Sequence, residues 1–469
     1  RLYAKEIMGN ILFRMIAQKD IDFGGLLYDE YNNGKGVGNI MNYYYNPLYA
    51  IYNDPIDSSP ALLKLKEMAE LKDDPERLTS LINEKFGTDF DFSKPDTDEN
   101  LKKFLSMAIF ERKLDLSYRF LPYAFGFTGE NVSTPMLCIG SWYDMFIEKM
   151  LLDINDIQEK SPEYFKKNFK MIIGPGAHGG MDFFCIPYPP QLLPLPFGKY
   201  LRKVLALYKE FFHFDWYEHW LNKEESSDLS NVPAFKMWIM NKQVWRYSNK
   251  WPPETKEVKF YLHSGGNANS RFGDGVLSKT KPKNEPCDEF DFNPADPVNT
   301  RGGRFLFLRS GMLNQSEIEK RKDILIYSTE KLKEGIEILG EVKLIFYASS
   351  SAVDTDFTVK LVDVHNESKI LHVIDSGVRA RYRESLENPK LLEPDKIYKY
   401  EVYIGSTGIY FPKGHKIRIE ISSSNFPRFN INSNLAGKKS EKGYTIAHQK
   451  IYHDSEHKSH LILPTFPGS

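Results

Sequence analysis

The chain has 469 residues, 41% of them hydrophobic, and its 62 Lys and Arg nearly balance its 63 Asp and Glu. That length is enough for two or more hydrophobic cores, and the near-zero net charge, without a basic stripe of interleaved aromatic residues, excludes nucleic acid as an expected partner. No apolar run reaches the length of a membrane span. The three cysteines are too widely spaced for a zinc ribbon, and their odd number argues against a disulfide framework. The sequence leaves the cellular compartment unknown, because no signal peptide is visible and the chain does not begin with Met.

Helical periodicity dominates residues 53–121, where apolar residues recur at steps of three and four. From about residue 122 to 225, strand and helix patterns alternate. TPMLCIG (134–140) and NFKMIIGP (168–175) read as buried strands, and MFIEKMLLDINDIQEK (145–160) lies between them as an amphipathic helix. A further long helix is predicted from about 198 to 221. Fully apolar strands that alternate with helices predict a parallel sheet covered on both faces.

The period changes from about residue 231 to the end, where many short segments alternate apolar and polar residues between Gly, Pro, Asn and Asp turns. Such spacing predicts an antiparallel β-sandwich and favours a jelly roll. The predicted strands are AFKMWIMN, EVKFYLHS, GEVKLIFYASS, DFTVKLVDV, YKYEVYIGS and HKIRIEISSS.

Two chemically capable side chains follow consecutive buried strands. Asp144 comes after the first, and His178 comes after the second through a Gly-rich turn. Functional groups gather at the carboxyl ends of parallel strands, and a carboxylate bonded to one imidazole nitrogen leaves the other nitrogen available as a general base. The alternative interpretations are an Asp that caps the following helix and a His that lies on the surface.

A family resemblance rests on these same segments. GSWYDMF (140–146) and IGPGAHGG (173–180) resemble the acid and base segments of the cocaine esterase-like hydrolases, a family that includes X-Pro dipeptidyl peptidases, α-amino acid ester hydrolases and glutaryl acylases. The similarity runs in order from about residue 130 to the end. It includes WYEHWLN, MWIMNKQVWRYSNKWPP, FYLHSGG, FNPADPVNTRGG, NQSEIEKRKDILIYSTEKL, DTDFTVKLVDV, ARYRES, ISSSNFPRFNINSN and IYHDSEH.

The resemblance implies a fold of class α/β plus all-β. Residues 1–125 would form a helical cap region, residues 126–228 the C-terminal half of an α/β-hydrolase core, and residues 229–469 a jelly roll. It also implies a serine hydrolase that acts on a small ester, an amide or a short peptide, with no metal or organic cofactor. A homo-oligomer is left open.

The resemblance also assigns individual residues. Asp144 is implied as the triad acid and His178 as the base, with Phe146 and Trp142 binding substrate. The residues shared across the sandwich are expected to build turns and buried ion pairs or to be satisfied structural groups, and they are Asp296, Arg301, Asp356, Arg428 and His453.

The sequence departs from the family pattern at the nucleophile. No G-x-S-Y-x-G elbow occurs in the 469 residues, although the family carries its serine on that turn. We therefore expect the chain to be a fragment that lacks its serine and its oxyanion tyrosine and has negligible activity alone. The alternative hypothesis is a non-catalytic binding protein, or an inactive fragment, that uses the surface of the jelly roll.

Overall fold

The computed structural model describes residues 134–177 except 145, and residues 231–467 except 305–309, 385–388, 427, 430 and 437–442. A few isolated residues are described as well, and five of them, Arg77, Ser80, Trp216, His219 and Trp220, are helical. The predicted helical cap region and most of the predicted helix at 198–221 therefore lie outside the described residues.

The first described unit is a strand, two helices and a second strand. Its elements are β1 (Met136–Tyr143), α1 (Ile147–Lys160), α2 (Pro162–Asn168) and β2 (Phe169–Ala177). Strands β1 and β2 pair in parallel, as the apolar runs predict. Helix α1 buries Ile147, Leu151, Ile154 and Ile157, a spacing of three and four residues that lays one face against the core.

The sheet continues into a segment that the sequence places with the sandwich. β3 (Phe235–Ile239) pairs in parallel with β2, and β4 (Val244–Ser248) pairs antiparallel with β3. The alternation in AFKMWIMN suggested a solvent-facing side. Lys236 is nevertheless 9% exposed, with its ammonium 4.7 Å from the centre of the Trp245 ring, so the polar position is covered rather than solvated.

The remaining strands form one 11-stranded sheet, and within the described residues its pairs are antiparallel except for the short β6–β8 contact. They are β5 (Lys256–His263), β6 (Val276–Ser278), β7 (Asp288–Phe292), β8 (Leu325–Ser328), β9 (Ile336–Ser350), β10 (Asp356–Asn366), β11 (Lys369–Arg379), β12 (Tyr398–Phe411), β13 (Lys416–Ser422), β14 (Ala447–Tyr452) and β15 (His460–Thr465).

The 11-stranded sheet folds over on itself. Phe357 of β10 packs against Phe346 of β9 and Tyr400 of β12, with ring centroids 5.5 and 5.0 Å apart, although β10 hydrogen-bonds to neither strand. Two layers therefore face each other across an aromatic core, which is the arrangement of side chains in an antiparallel sandwich. In the described part of the chain, no helix is both long and apolar enough to cross a membrane.

Several residues expected to be structural make buried ion pairs. Asp356 receives two hydrogen bonds from Arg379, at 2.8 and 3.0 Å, and Arg428 donates to Asp375 at 2.6 Å. All four side chains are buried. The prediction of buried ion pairs is confirmed for Asp356 and Arg428.

The other three residues that were expected to be structural differ in their burial. His453 is buried, and its Nε2 lies 2.8 Å from Asp288 Oδ2. Asp296 is exposed and pairs at 3.1 Å with Arg321, and Arg301 is exposed as well. Asp296 makes a turn as predicted, since its backbone N–H donates to the carbonyl of Asn293 at 3.0 Å. The carbonyl of Arg301 accepts the side-chain amide of Gln315 at 2.7 Å, so both residues contribute structural contacts to the loop between β7 and β8 from exposed positions.

Candidate active site

Asp144 follows the last residue of β1, at the carboxyl end of the parallel strands. It is 7% exposed, and its backbone N–H donates to the carbonyl of Ser141 at 2.9 Å. Its Oδ1 accepts the backbone N–H of Phe146 at 2.7 Å. Asp144 is not the helix cap itself, since the N-cap of α1 is Phe146. The turn therefore fixes the carboxylate at the end of the strand before the helix begins.

The register of β1 and β2 aligns the two chain segments that carry the predicted acid and base. Ser141 pairs with Gly174, and Tyr143 pairs with Ala177, so β2 has one extra residue in this interval. Such a bulge at the end of a strand re-aims the side chains that follow it. The next residue after Tyr143 is Asp144. The next residue after Ala177 is His178, which lies outside the described residues.

Phe146 stands two residues after the acid and is the N-cap of helix α1. Its backbone N–H is held by Asp144, and its carbonyl accepts the N–H of Met150 at 2.9 Å. The residue is neither fully buried nor exposed. The backbone of Phe146 is therefore fixed beside the carboxylate, and the residue is only partly buried.

Trp142 has a different environment from the one predicted for a substrate-binding residue. It is 2% exposed, its indole N–H donates to the carbonyl of Trp238 at 2.7 Å, and its ring centroid lies 6.2 Å from that of Trp251. A Cβ at Gly408 would lie 2.8 Å from the indole, so the ring is packed directly on β12. This placement favours a structural role for Trp142.

Arg304, a residue that the sequence reasoning missed, joins this end of β1 to the sandwich. Its Nε donates to the carbonyl of Trp142 at 2.9 Å, and its Nη2 donates to the carbonyl of Ser406 at 2.7 Å. Its Nη1 makes an ion pair with Glu148 of α1, and the Arg304 side chain is 4% exposed. One guanidinium therefore contacts the strand before Asp144, the helix after it, and β12.

Glu148 completes this junction. Its carboxylate accepts the N–H of Ser406 at 2.6 Å, the hydroxyl of Tyr403 at 2.5 Å and the hydroxyl of Ser406 at 3.0 Å. Burial alone would raise the pKa of Glu148, but Arg304 and these hydrogen bonds outweigh it, so the pKa lies below its usual value. In the sequence, Glu148 is only an acidic residue in a first helical turn, and its partner Tyr403 lies 255 residues away.

Comparison with known proteins places the chain in a family. Residues 228–462 match the X-Pro dipeptidyl-peptidase C-terminal non-catalytic domain. The chain is 32% identical over 384 residues to cocaine esterase from Rhodococcus sp. (strain MB1 Bresler), an alignment that covers 79% of this chain and 60% of the relative. The chain thus spans about three fifths of the length of that relative.

Solved structures give the same fold at lower identity. An aminopeptidase from a marine sediment archaeon, Thaumarchaeota archaeon, is similar with a TM-score of 0.56 and 23% identity, over 71% of this chain and 55% of that one. An alpha-amino acid ester hydrolase is similar with a TM-score of 0.57 and 20% identity, over 81% of this chain and 63% of that one. The motifs, the matched C-terminal domain and these relatives agree, and the chain belongs to the cocaine esterase-like, X-Pro dipeptidyl-peptidase family of serine hydrolases.

Proposed function

We propose that Asp144 and His178 are the acid and the base of a Ser-Asp-His triad in a hydrolase that cleaves an ester or an acyl or aminoacyl amide. The strand register carries this proposal: Tyr143 and Ala177 are paired, and Asp144 and His178 are the residues that follow them. Neighbouring strands lie about 4.8 Å apart, so the two residues that follow this pair are expected to lie close together. A carboxylate has about four lone-pair sites, so the bond from the Phe146 N–H leaves Asp144 able to accept an imidazole N–H as well.

The chemistry follows from these roles. A serine hydroxyl attacks the substrate carbonyl carbon while His178 takes its proton, giving a tetrahedral intermediate. As the bond to the departing alcohol or amine breaks, His178 returns that proton to it, and the serine oxygen is left acylated. Water then attacks the acyl-enzyme with His178 again as the base, releasing the acid and restoring the serine. Asp144 fixes the tautomer of His178 and stabilises the imidazolium that forms. No metal or organic cofactor is required, because proton transfer generates the nucleophile.

The serine is proposed to come from sequence outside the 469 residues, since no G-x-S-Y-x-G segment occurs within them. Removal of a triad serine costs about 10⁶ in turnover. The 469-residue chain is therefore expected to have negligible esterase activity alone, and to be active when joined to that segment.

An ester is the favoured substrate class, because the relative with 32% identity is a cocaine esterase. Within the site, Phe146 is proposed to line the acyl pocket, since it caps α1 beside the acid and is only partly buried. An aminoacyl amide or a short peptide is the second class that the family resemblance allows.

The direct test is a fluorophosphonate probe applied to the product of the complete reading frame, with hydrolysis of a p-nitrophenyl ester measured in parallel. We expect the label on a serine outside the 469 residues. We also expect His178→Ala to abolish turnover, by about 10⁶, with an unchanged circular dichroism spectrum. His460→Ala, in β15, is the matched control and should keep full turnover.

Two results would contradict the proposal. Normal turnover in folded His178→Ala would remove the assigned base. A complete protein that folds, takes no label and hydrolyses no ester would instead support the non-catalytic binding hypothesis. The intact mass of the protein from its native source is an independent measurement, since it shows whether the native protein is larger than the 54.4 kDa of these 469 residues.

A further inference from the structure

A cluster of two histidines and an aspartate lies on the sandwich, and none of the three residues is assigned to the triad. Asp363 and His365 are alternate residues of β10 and therefore share one face of that strand. His415 immediately precedes β13, and the pairing of Val364 with Lys416 brings His415 opposite His365 on the neighbouring strand. The ring centroids of the two imidazoles are 4.1 Å apart.

The donor atoms of these three side chains converge. His415 Nδ1 lies 2.9 Å from Asp363 Oδ1, and His365 Nε2 lies 3.0 Å from Asp363 Oδ2. Among the described residues, these three present one donor atom each within a sphere where all separations are at most 4.8 Å. The Asp363 carboxylate is fully buried, whereas the His365 and His415 side chains are 18% and 17% exposed.

One nitrogen in the cluster has no hydrogen-bond partner within the described part of the chain. His365 Nε2 is buried, and despite its 3.0 Å separation from Asp363 Oδ2 no hydrogen bond joins the two atoms. Leaving a buried polar atom unpaired is costly, about 1–3 kcal/mol. A metal ion between the nitrogen and the carboxylate would use that lone pair.

We propose that Asp363, His365 and His415 bind a divalent transition-metal ion of the Zn²⁺ type. Two imidazole nitrogens and one carboxylate oxygen are ligands that Zn²⁺ favours, and Ca²⁺ and Mg²⁺ prefer all-oxygen sites. Bonds of about 2.0–2.1 Å in tetrahedral geometry separate ligand atoms by about 3.3 Å. The three donor atoms here lie within 4.8 Å of one another. The 2.9 and 3.0 Å separations run to the two different oxygens of Asp363, so side-chain rotation has to bring one carboxylate oxygen and both nitrogens to that spacing.

Solvent exposure and the surrounding residues suit the same ion. The partial exposure of both histidines provides an entry path and room for a water as the fourth ligand. Asn241 donates from its side-chain amide to Asp363 Oδ2 at 2.8 Å and to the carbonyl of Tyr410 at 2.9 Å. Such a partner orients a ligating carboxylate.

The ion would therefore act at the contact between the two sheets. Asn241 lies in the turn between β3 and β4 of the four-stranded sheet, and Asp363 lies in the sandwich. An ion bound to Asp363 would stabilise this contact. It would do so only in the folded state, where the three ligands are close together. The proposal is a structural ion and is independent of the triad.

The test is zinc binding by the 469-residue chain, made without a histidine tag and stripped with EDTA, measured by calorimetry and by metal analysis. We expect one Zn²⁺ per chain at this site. His415→Ala should weaken its binding by at least about 100-fold, because loss of even an outer-shell partner costs about 10- to 100-fold. Asn241→Ala removes only an outer-shell partner and should weaken zinc binding by about 10- to 100-fold.

His263→Ala is the matched control, because the His263 side chain is also 18% exposed and also faces a carboxylate, that of Glu285. Both of its ring nitrogens already have partners, Glu285 at 2.8 Å and the carbonyl of Thr280 at 2.9 Å. Its zinc affinity should equal that of the unchanged chain. Equal affinity in His415→Ala and the unchanged chain would overturn the proposal, because the ion would then be bound elsewhere.

A second measurement does not depend on whether a variant folds. Co²⁺ added to the unchanged, stripped chain should give the visible bands of a four- or five-coordinate site, and one equivalent of Zn²⁺ should abolish them. A chain that shows only the spectrum of aqueous Co²⁺ would contradict the proposal, and the cluster would then be a hydrogen-bonded one without an ion.

Discussion

Arg304 donates a hydrogen bond to the carbonyl of Trp142 at 2.9 Å and makes an ion pair with the carboxylate of Glu148. One side chain of the sandwich therefore binds the chain on both sides of Asp144. The C-terminal domain matches a domain that is named non-catalytic, but this relationship gives it a structural role beside Asp144. The strand end and the first helical turn are both tied to β12, and the turn that carries Asp144 lies between those two fixed points. The turn that carries Asp144 is thus held by a side chain of the sandwich as well as by its own sheet.

Removal of Arg304 should loosen this junction. Arg304→Met leaves the Glu148 carboxylate buried without its cation, and breaking a buried pair in this way costs about 3–5 kcal/mol in the free energy of unfolding. Urea denaturation followed by tryptophan fluorescence measures the change. Lys250→Met, which breaks the exposed pair with Glu254, is the control and should cost no more than about 1 kcal/mol. An equal, small loss in both variants would show that Arg304 does not hold the junction.

The same junction should respond to acid. The pKa of Glu148 is lowered in the folded state, so its contribution is complete above its ordinary value of 4.5 and disappears as the pH falls through the lower folded value. We expect the unfolding free energy of the unchanged chain to fall more steeply between about pH 5 and pH 3 than that of Glu148→Gln. Parallel curves of unfolding free energy against pH for the two proteins would mean that folding does not lower the pKa of Glu148.

Trp142→Phe separates a structural role from a substrate-binding role. The variant keeps most of the ring but leaves the buried carbonyl of Trp238 without its indole donor, at a cost of about 1–3 kcal/mol in stability. In the complete enzyme the KM for a p-nitrophenyl ester should be unchanged. A raised KM with unchanged stability would return Trp142 to the substrate pocket.

Phe146→Ala tests the proposed acyl pocket. Loss of the ring should lower kcat/KM for an ester with a bulky aromatic acyl group by about 10- to 100-fold, with little effect on an acetyl ester, because one pocket contact contributes about 1–3 kcal/mol. Phe272→Ala is the control, since that ring is 73% exposed on the sandwich. A uniform loss on both esters would indicate a displaced acid rather than a lost pocket wall.

The sequence predicted the local elements well, because their signals are local. The apolar runs around Cys138 and Ile172 form parallel strands, and the period-two segments form the sandwich except for AFKMWIMN, which forms β3 of the four-stranded sheet. It did not predict the junction, since Arg304 and Glu148 look like ordinary polar residues until the fold brings them together. The sequence does not predict the packing of Trp142 for the same reason, because its hydrogen-bond partner Trp238 is 96 residues away.

The most direct test of the central claim is a double-mutant cycle on kcat/KM in the complete enzyme, using Asp144→Asn, His178→Ala and the pair. Asn at position 144 keeps an oxygen that can accept the Phe146 N–H, so the turn should persist. If the two residues act as one unit, Asp144→Asn costs about 10⁴, His178→Ala about 10⁶, and the pair no more than His178→Ala alone. Losses that multiply in the pair, or a near-normal rate in Asp144→Asn, would contradict the assignment of this acid and base.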